Sequence, residues 1–217
     1  MKIAIVYNNE ANPGFKAGWG FSCLVEEKNK KILFDTGCEG QGLLYNIKKI
    51  GFDVKEIDIL VLSHQDWDHI GGLFDILNLN NKIEVFVLKS FSENLKNEIR
   101  KRAKLTEVED EQEITKDVYT TGTIKNNPDE QSLILKTNKG IIVLVGCSHP
   151  GVDKILDRAK KYGEIYALIG GFHDFSELDI LEGIELIGAC HCTQYKNEIR
   201  EKYPRQFKEI KAGNVIE

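Results

Sequence analysis

The chain has 217 residues, a formal net charge of −5, and hydrophobic and charged fractions of 41% and 29%. It is long enough to bury its own core without disulfides or a structural metal, so a single domain spanning 1–217 is expected. The acidic balance argues against nucleic acid and against an anionic membrane surface as partners, since neutralising phosphates needs an excess of Lys and Arg.

The first residues, Met1 to Tyr7, lack the long apolar stretch and small-residue cleavage site of a secretory signal. No window approaches the roughly 18 apolar residues of a transmembrane helix. A cytoplasmic location is therefore expected. The cysteines are Cys23, Cys38, Cys147, Cys190 and Cys192. Their odd number and the absence of a Cys-x-x-Cys pair speak against a disulfide framework.

Short apolar runs alternate with helical patterns from end to end. Strands are expected at Lys2–Tyr7, Phe21–Glu26, Lys31–Asp35, Ile57–Ser63, Ile83–Leu88, Ser132–Thr137, Ile141–Gly146, Ile165–Ile169, Ile184–Gly188 and Asn214–Ile216. Helices are expected at Gln41–Ile50, closed by Gly51, then at Gly72–Leu79, Phe91–Leu105, Val152–Tyr162 and Tyr195–Tyr203, stopped by Pro204. The basic run Lys96 to Lys104 alternates with apolar residues and reads as the solvated face of a helix. The acidic stretch from Thr106 to Pro128 is a loop or a set of extra strands. The fold class is mixed α/β, with helices covering sheet faces.

The chain has five histidines: His64, His69, His149, His173 and His191. Four strand-like runs each lead into one of them: Ile59–Ser63 into His64, Ile141–Gly146 into His149, Ala167–Ile169 into His173, and the run from Ile184 into His191. Carboxyl ends of strands line the functional crevice of α/β folds. One such histidine would more often be a satisfied structural residue. The set points to a shared metal site. The segment His64–His69 offers His64, Asp66, Asp68 and His69 within six residues. Alternation after a strand would turn His64, Asp66 and Asp68 one way and Gln65 and Trp67 the other. The competing reading, an acidic helix N-terminus, leaves the distant histidines unexplained. Imidazole and carboxylate donors suit one or two divalent ions, zinc first, with iron or manganese as alternatives.

The stretch Leu62–Gly72 resembles the His-x-His-x-Asp-His motif of the metallo-β-lactamase-fold superfamily. Phe34-Asp35-Thr36-Gly37 is similar to the Asp-Thr-Gly segment that supports that motif. Gly146–Gly151, Gly170–His173, His191-Cys192-Thr193 and Gly213–Ile216 together resemble the branch of dihydropterin–ribofuranosylaminobenzene-phosphate synthases. The resemblance implies a four-layer αββα sandwich of two mixed sheets. It implies that His64, Asp66 and His149 bind one metal, and that Asp68, His69 and His191 bind a second.

The sequence departs from the pattern twice. Asp66 replaces a histidine, which tilts the site toward harder ions. Cys147 stands where many relatives carry a metal-bridging Asp. It reads as a small buried residue, with thiolate ligation the alternative.

A metal-dependent hydrolase is therefore expected, with water activated to hydroxide at neutral pH attacking an ester, phosphodiester or related bond of a small molecule. Asp68 would orient that water and take its proton. His173, after Gly170-Gly171, is assigned to the substrate, with support of a metal ligand as the alternative. Two other readings compete. One is a transferase joining a dihydropterin to an aminobenzene ribotide phosphate; the other is a non-catalytic metal-bound sensor.

Overall fold

The apolar run at the start of the chain forms β1 (Lys2–Tyr7), buried along almost its whole length. It pairs antiparallel with β2 (Ser22–Glu27), and β2 with β3 (Lys30–Phe34), through a tight turn at the left-handed Lys28. From β3 onward the chain crosses over through helices, and such crossovers give parallel neighbours. Helix α1 (Gly40–Lys49) leads to β4 (Ile59–Val61). Helices α2 (Trp67–Ile70) and α3 (Leu73–Leu79) lead to β5 (Glu84–Leu88), and α4 (Glu93–Arg100) leads to β6 (Lys104–Val108). The register runs Leu33↔Leu60↔Val85↔Leu105 across these parallel strands. The C-terminal strand Val215–Ile216 closes the other edge against β1, completing a seven-stranded mixed sheet.

The computed structural model describes all 217 residues. They separate into a first unit, Met1–Val108 with Lys211–Glu217, and a second, Glu109–Ile210. The second unit begins with the hairpin β7 (Gln112–Thr115) and β8 (Val118–Thr120), then β9 (Leu133–Thr137) and β10 (Gly140–Val145), all antiparallel. Helix α5 (Val152–Ala159) crosses over to β11 (Ile165–Gly171), and a 3₁₀ turn at Leu178–Leu181 leads to β12 (Leu186–Cys190). Both new strands join in parallel. Helix α6 (Lys196–Lys202) follows, and the C-terminal strand is β13.

Helix α5 shows how pattern becomes packing. Val152, Ile155, Leu156 and Ala159 fall at helical spacing and are all buried in the second unit's core, with Val143, Val145, Leu168 and Ile187. Full burial of each larger aliphatic side chain is worth roughly 1.5–3 kcal/mol. Helix α1 is fixed at both ends. The Glu39 side chain accepts from the Gly42 amide, and Lys48 and Lys49 sit in the last turn, where the dipole favours cations.

Most expected elements stand within two residues of their bounds; the helix expected over Val152–Tyr162 is α-helical to Ala159 and 3₁₀ from Lys160 to Tyr162, and one element fails outright. The helix expected over Phe91–Leu105 ends at Arg100, and Lys104–Val108 is strand β6. No Gly or Pro marks that stop. Tertiary pairing with β5 takes the alternating Lys-Leu-Thr-Glu-Val run out of the helix. Lys96 is not on a solvated face either. It is 2% exposed, and its ammonium donates to Glu107 (2.8 Å) and to the Lys89 carbonyl (2.9 Å). The acidic stretch after Thr106 holds β7 and β8 rather than loop alone. No helix is long and apolar enough to cross a membrane.

Candidate metal centre

In the first unit, the segment after β4 carries four candidate ligands in two conformations. Asp66 is in extended backbone (φ −71°, ψ 144°), and α2 starts immediately after it and carries Asp68 and His69. Strand-like alternation therefore stops at Asp66, and a helical turn presents the last two donors. Trp67 is 62% exposed, and Gln65 turns to accept from the Ser92 amide at 2.6 Å. Asp66 stands at the N-cap position but makes no capping hydrogen bond. Its carboxylate lies 3.5 Å from His64 Nε2. His69 Nε2 is 3.9 Å from Asp68 Oδ2, and the His64 and His69 rings are 4.2 Å apart between centroids.

Asp35 sets both imidazoles. It follows β3 in a left-handed conformation (φ 57°) and is fully buried. Its Oδ1 accepts from the Ser63 amide at 2.7 Å; its Oδ2 accepts from Ser63 Oγ at 2.7 Å and from His69 Nδ1 at 2.6 Å. Ser63 Oγ has one hydrogen, and that hydrogen goes to Asp35. With the Asp35 carboxyl ionised, Oγ, at 2.8 Å from His64 Nδ1, accepts the imidazole N–H. Both rings thus carry hydrogen on Nδ1 and a lone pair on Nε2, the tautomer that ligates metal. Burial pushes the Asp35 carboxyl up to about 7, opposed by His64 and the two Ser63 hydrogen bonds, with Asp68 adding to the rise.

Thr36 continues the support. Its amide and hydroxyl both donate to the His69 carbonyl, at 2.8 and 2.9 Å. The Gly71 amide donates to Gly37 O, and a Cβ at residue 71 would lie 2.1 Å from the Cys38 carbonyl oxygen. Glycine at 71 is what lets the two segments meet.

The second unit holds its own cluster, at the ends of β10, β11 and β12. Glu130, 1% exposed, receives three consecutive amides: Cys147 N (2.9 Å) and Ser148 N (3.0 Å) on Oε1, and His149 N (2.8 Å) on Oε2. This clamp fixes the loop that presents His149. Asn126 donates to the His149 carbonyl and Ser148 Oγ to Gly171 O, which ties the loop to β11. The His173 ring lies 4.7 Å from that of His149. One ligand atom each from Cys147, His191 and Cys192 lie within 4.8 Å of one another.

Ser148, His173 and His191, like Asp35, have positive φ (62°, 46° and 49°) just after a strand. Non-glycine residues held there carry strain, and such strain gathers at functional sites. Gly170 and Gly171 are packed too closely to carry a Cβ. A Cβ at 170 would lie 2.0 Å from Val145 O, and one at 171 would lie 2.6 Å from Gly146 O and from Cys192 Sγ. They let β11 lie against β10.

The donor chemistry of both clusters fits a divalent ion: imidazole, carboxylate and thiol groups on hydrogen-bonded loops. Sequence reasoning had no signal for Ser63 as relay or for Glu130 as clamp. Both act through contacts between segments distant in the chain.

Comparison with known proteins bears on these clusters. The family model described as the metallo-beta-lactamase superfamily matches residues 19–144. The chain is 30% identical to a 7,8-dihydropterin-6-methyl-4-(beta-D-ribofuranosyl)-aminobenzene-5'-phosphate synthase of Methanocaldococcus jannaschii, over 94% of this chain and 92% of that protein. Among solved structures it is similar to Tm1679, a metal-dependent hydrolase of the beta-lactamase superfamily. The identity is 27%, the TM-score is 0.81, and the match covers 100% of this chain and 98% of the other. The fold, though little of the sequence, is shared with YhfI from Bacillus subtilis (14% identity, TM-score 0.72, covering 100% and 99%). With the expected α/β sandwich fold and a family match over more than half its length, the chain belongs to the metallo-beta-lactamase superfamily.

Proposed function

We propose that the chain is a metal-dependent hydrolase of a small-molecule ester, phosphodiester or related bond. In this reading His64, Asp66 and His149 hold one divalent ion, and Asp68, His69 and His191 hold a second. The observation that carries it is the Asp35–Ser63 relay, which gives both His64 and His69 a lone pair on Nε2. The nitrogen that the relay leaves with a lone pair is the one a metal would take. A bound ion supplies Lewis acidity and brings water within reach of deprotonation at neutral pH.

The chain's own groups supply the rest. Asp68, 8% exposed, accepts the proton of the attacking water. His173, 38% exposed at its side chain, contacts the substrate. Zinc is the expected ion, with the carboxylates Asp66 and Asp68 leaving iron or manganese as competitors. No nucleic-acid or membrane partner is expected, given the net charge of −5.

A second reading keeps the centre and makes the reaction a transfer, joining a dihydropterin to an aminobenzene ribotide phosphate. It is favoured by the 30% identity, over 94% of this chain, to the archaeal synthase. Elemental analysis of protein prepared with and without oxygen, followed by parallel assays, tests both. The assays would use ester and phosphodiester substrates and the pterin pair. The hydrolase reading expects turnover of the first set that is lost after chelation and restored by metal. Turnover of the pterin pair alone would replace it with the second reading, and full activity in metal-free protein would overturn both.

A further inference from the structure

We propose that a groove in the first unit, away from the metal ligands, is a second ligand site that takes a small amphipathic carboxylate. The groove holds about 450 Å³, within the range of small-molecule sites. It lies between the C-terminal half of α1, the 3₁₀ turn Val54–Glu56 and the end of α3. That turn leads into β4, and the segment from His64 leaves β4 at its other end. The groove and the ligand segment therefore stand at opposite ends of one strand. Most of its surface is apolar, from Leu44, Phe52, Val54 and Leu79. Leu79 is 48% exposed, so part of that apolar surface is left for a ligand to cover.

The walls are fixed before any ligand arrives. Asn80, 4% exposed, donates from Nδ2 to Val54 O at 2.9 Å and to Ile57 O at 2.8 Å, which laces the end of α3 to the turn. The Phe52 amide donates to Ile47 O at 3.0 Å and ties the other wall to α1. A preformed groove spares a ligand the entropy of ordering loops. The charges then select the head group. Lys48 and Lys55 line the groove and make no ion pair, whereas Lys31, also beside Phe52, is matched to Glu56. Lys2 adds a further ammonium, 5.1 Å from the centroid of the Phe52 ring. Asp53 is the one carboxylate of the lining, and its Oδ1 accepts from the Lys55 amide at 2.9 Å. Two unmatched ammonium groups beside an apolar surface favour an anionic head over a neutral or cationic one.

The test is titration of the full-length protein, as purified, with sodium decanoate below its micelle concentration, read by calorimetry and by amide shifts in ¹H–¹⁵N spectra. Decanol and decyltrimethylammonium are the neutral and cationic controls. The expected result is one decanoate per chain, amide shifts at Leu44, Val54 and Leu79, and weaker binding of both controls. Lys48→Ala and Lys55→Ala, both at exposed positions, should each weaken decanoate about two- to five-fold, as loss of an exposed charge pair does. Leu79→Ser should weaken decanoate and decanol alike. Absence of binding, or equal affinity for all three compounds, would overturn the site. So would shifts confined to the residues around His64 and His149, which would place the carboxylate at the metal centre instead. Unchanged affinity in the Lys48→Ala, Lys55→Ala double variant would overturn the choice of a carboxylate.

Discussion

Replacing Asp35 by Asn tests the relay with little disturbance to the backbone, because Asn tolerates the left-handed conformation (φ 57°) that residue 35 adopts. The carboxylate accepts three hydrogen bonds, from Ser63 N, Ser63 Oγ and His69 Nδ1. An amide has one oxygen and two N–H donors. If its oxygen faces Ser63 Oγ and His69, its NH₂ meets the Ser63 amide, donor against donor, at about 1–3 kcal/mol. If its NH₂ faces Ser63 Oγ and His69, both must become acceptors, and the hydrogens of His64 and His69 move to the ligating Nε2. Either way the rings lose the carboxylate that raises their basicity. Loss of such an outer partner weakens metal affinity about 10–100-fold, or about 1.4–2.7 kcal/mol. Burial holds the Asp35 carboxyl near 7, so Asn also removes a charge that is costly to bury. The metal-free fold should therefore change by less than about 2 kcal/mol. The assay is competition against a chelator, with thermal unfolding of the metal-free protein alongside. Wild-type affinity in Asp35→Asn would refute the relay.

Asp66→His should raise the zinc-to-iron ratio and slow metal loss to chelators, because a neutral imidazole replaces a charged oxygen donor; an unchanged ratio with a lower Tm would instead make Asp66 a structural residue. Glu130→Gln should cost about 1–3 kcal/mol and speed hydrogen exchange at the amides of Cys147, Ser148 and His149. Unchanged exchange there would remove the clamp. Glu107 is held below its ordinary 4.5, first by the hydrogen bond from the buried Lys96. A lowered carboxylate pKa contributes stability above the ordinary value and loses it as pH falls through the lowered one. Glu107→Gln should therefore be less stable than the wild type by about 1–2 kcal/mol at pH 7, with Glu107 a third exposed and partly screened, and the gap should close in acid. A gap of constant size at every pH would assign the effect to packing.

The strands and the ligand segments were legible because each is local. Ile59–Leu62 declares a buried strand, and His64–His69 concentrates four donors beside it. What joins distant segments was not legible. Asp35 could be read as support only through the resemblance of its Asp-Thr-Gly segment. Its partner Ser63 looks like any strand-end serine, and the Ser63 Oγ link to His64 exists only once β3 and β4 are paired. Glu130 sits in a stretch with no periodicity, and nothing local connects it to residues 147–149. The helix that overran into β6 failed for the same reason. Its apolar spacing through Leu105 suits a helix, and only the β5 edge makes Lys104–Val108 a strand. Cys147 was read as a small buried residue, and buried it is, but its thiol faces His191 and Cys192.

The most direct test of the metal centre is a crystal structure of the metal-loaded protein, with anomalous difference maps collected across the zinc, iron and manganese edges. The expected result is anomalous density bonded by Nε2 of His64 and of His69, by Asp66 and Asp68, and by His149 and His191 together. Density confined to surface carboxylates, or none beside His64 and His69 in protein shown by elemental analysis to contain metal, would contradict it.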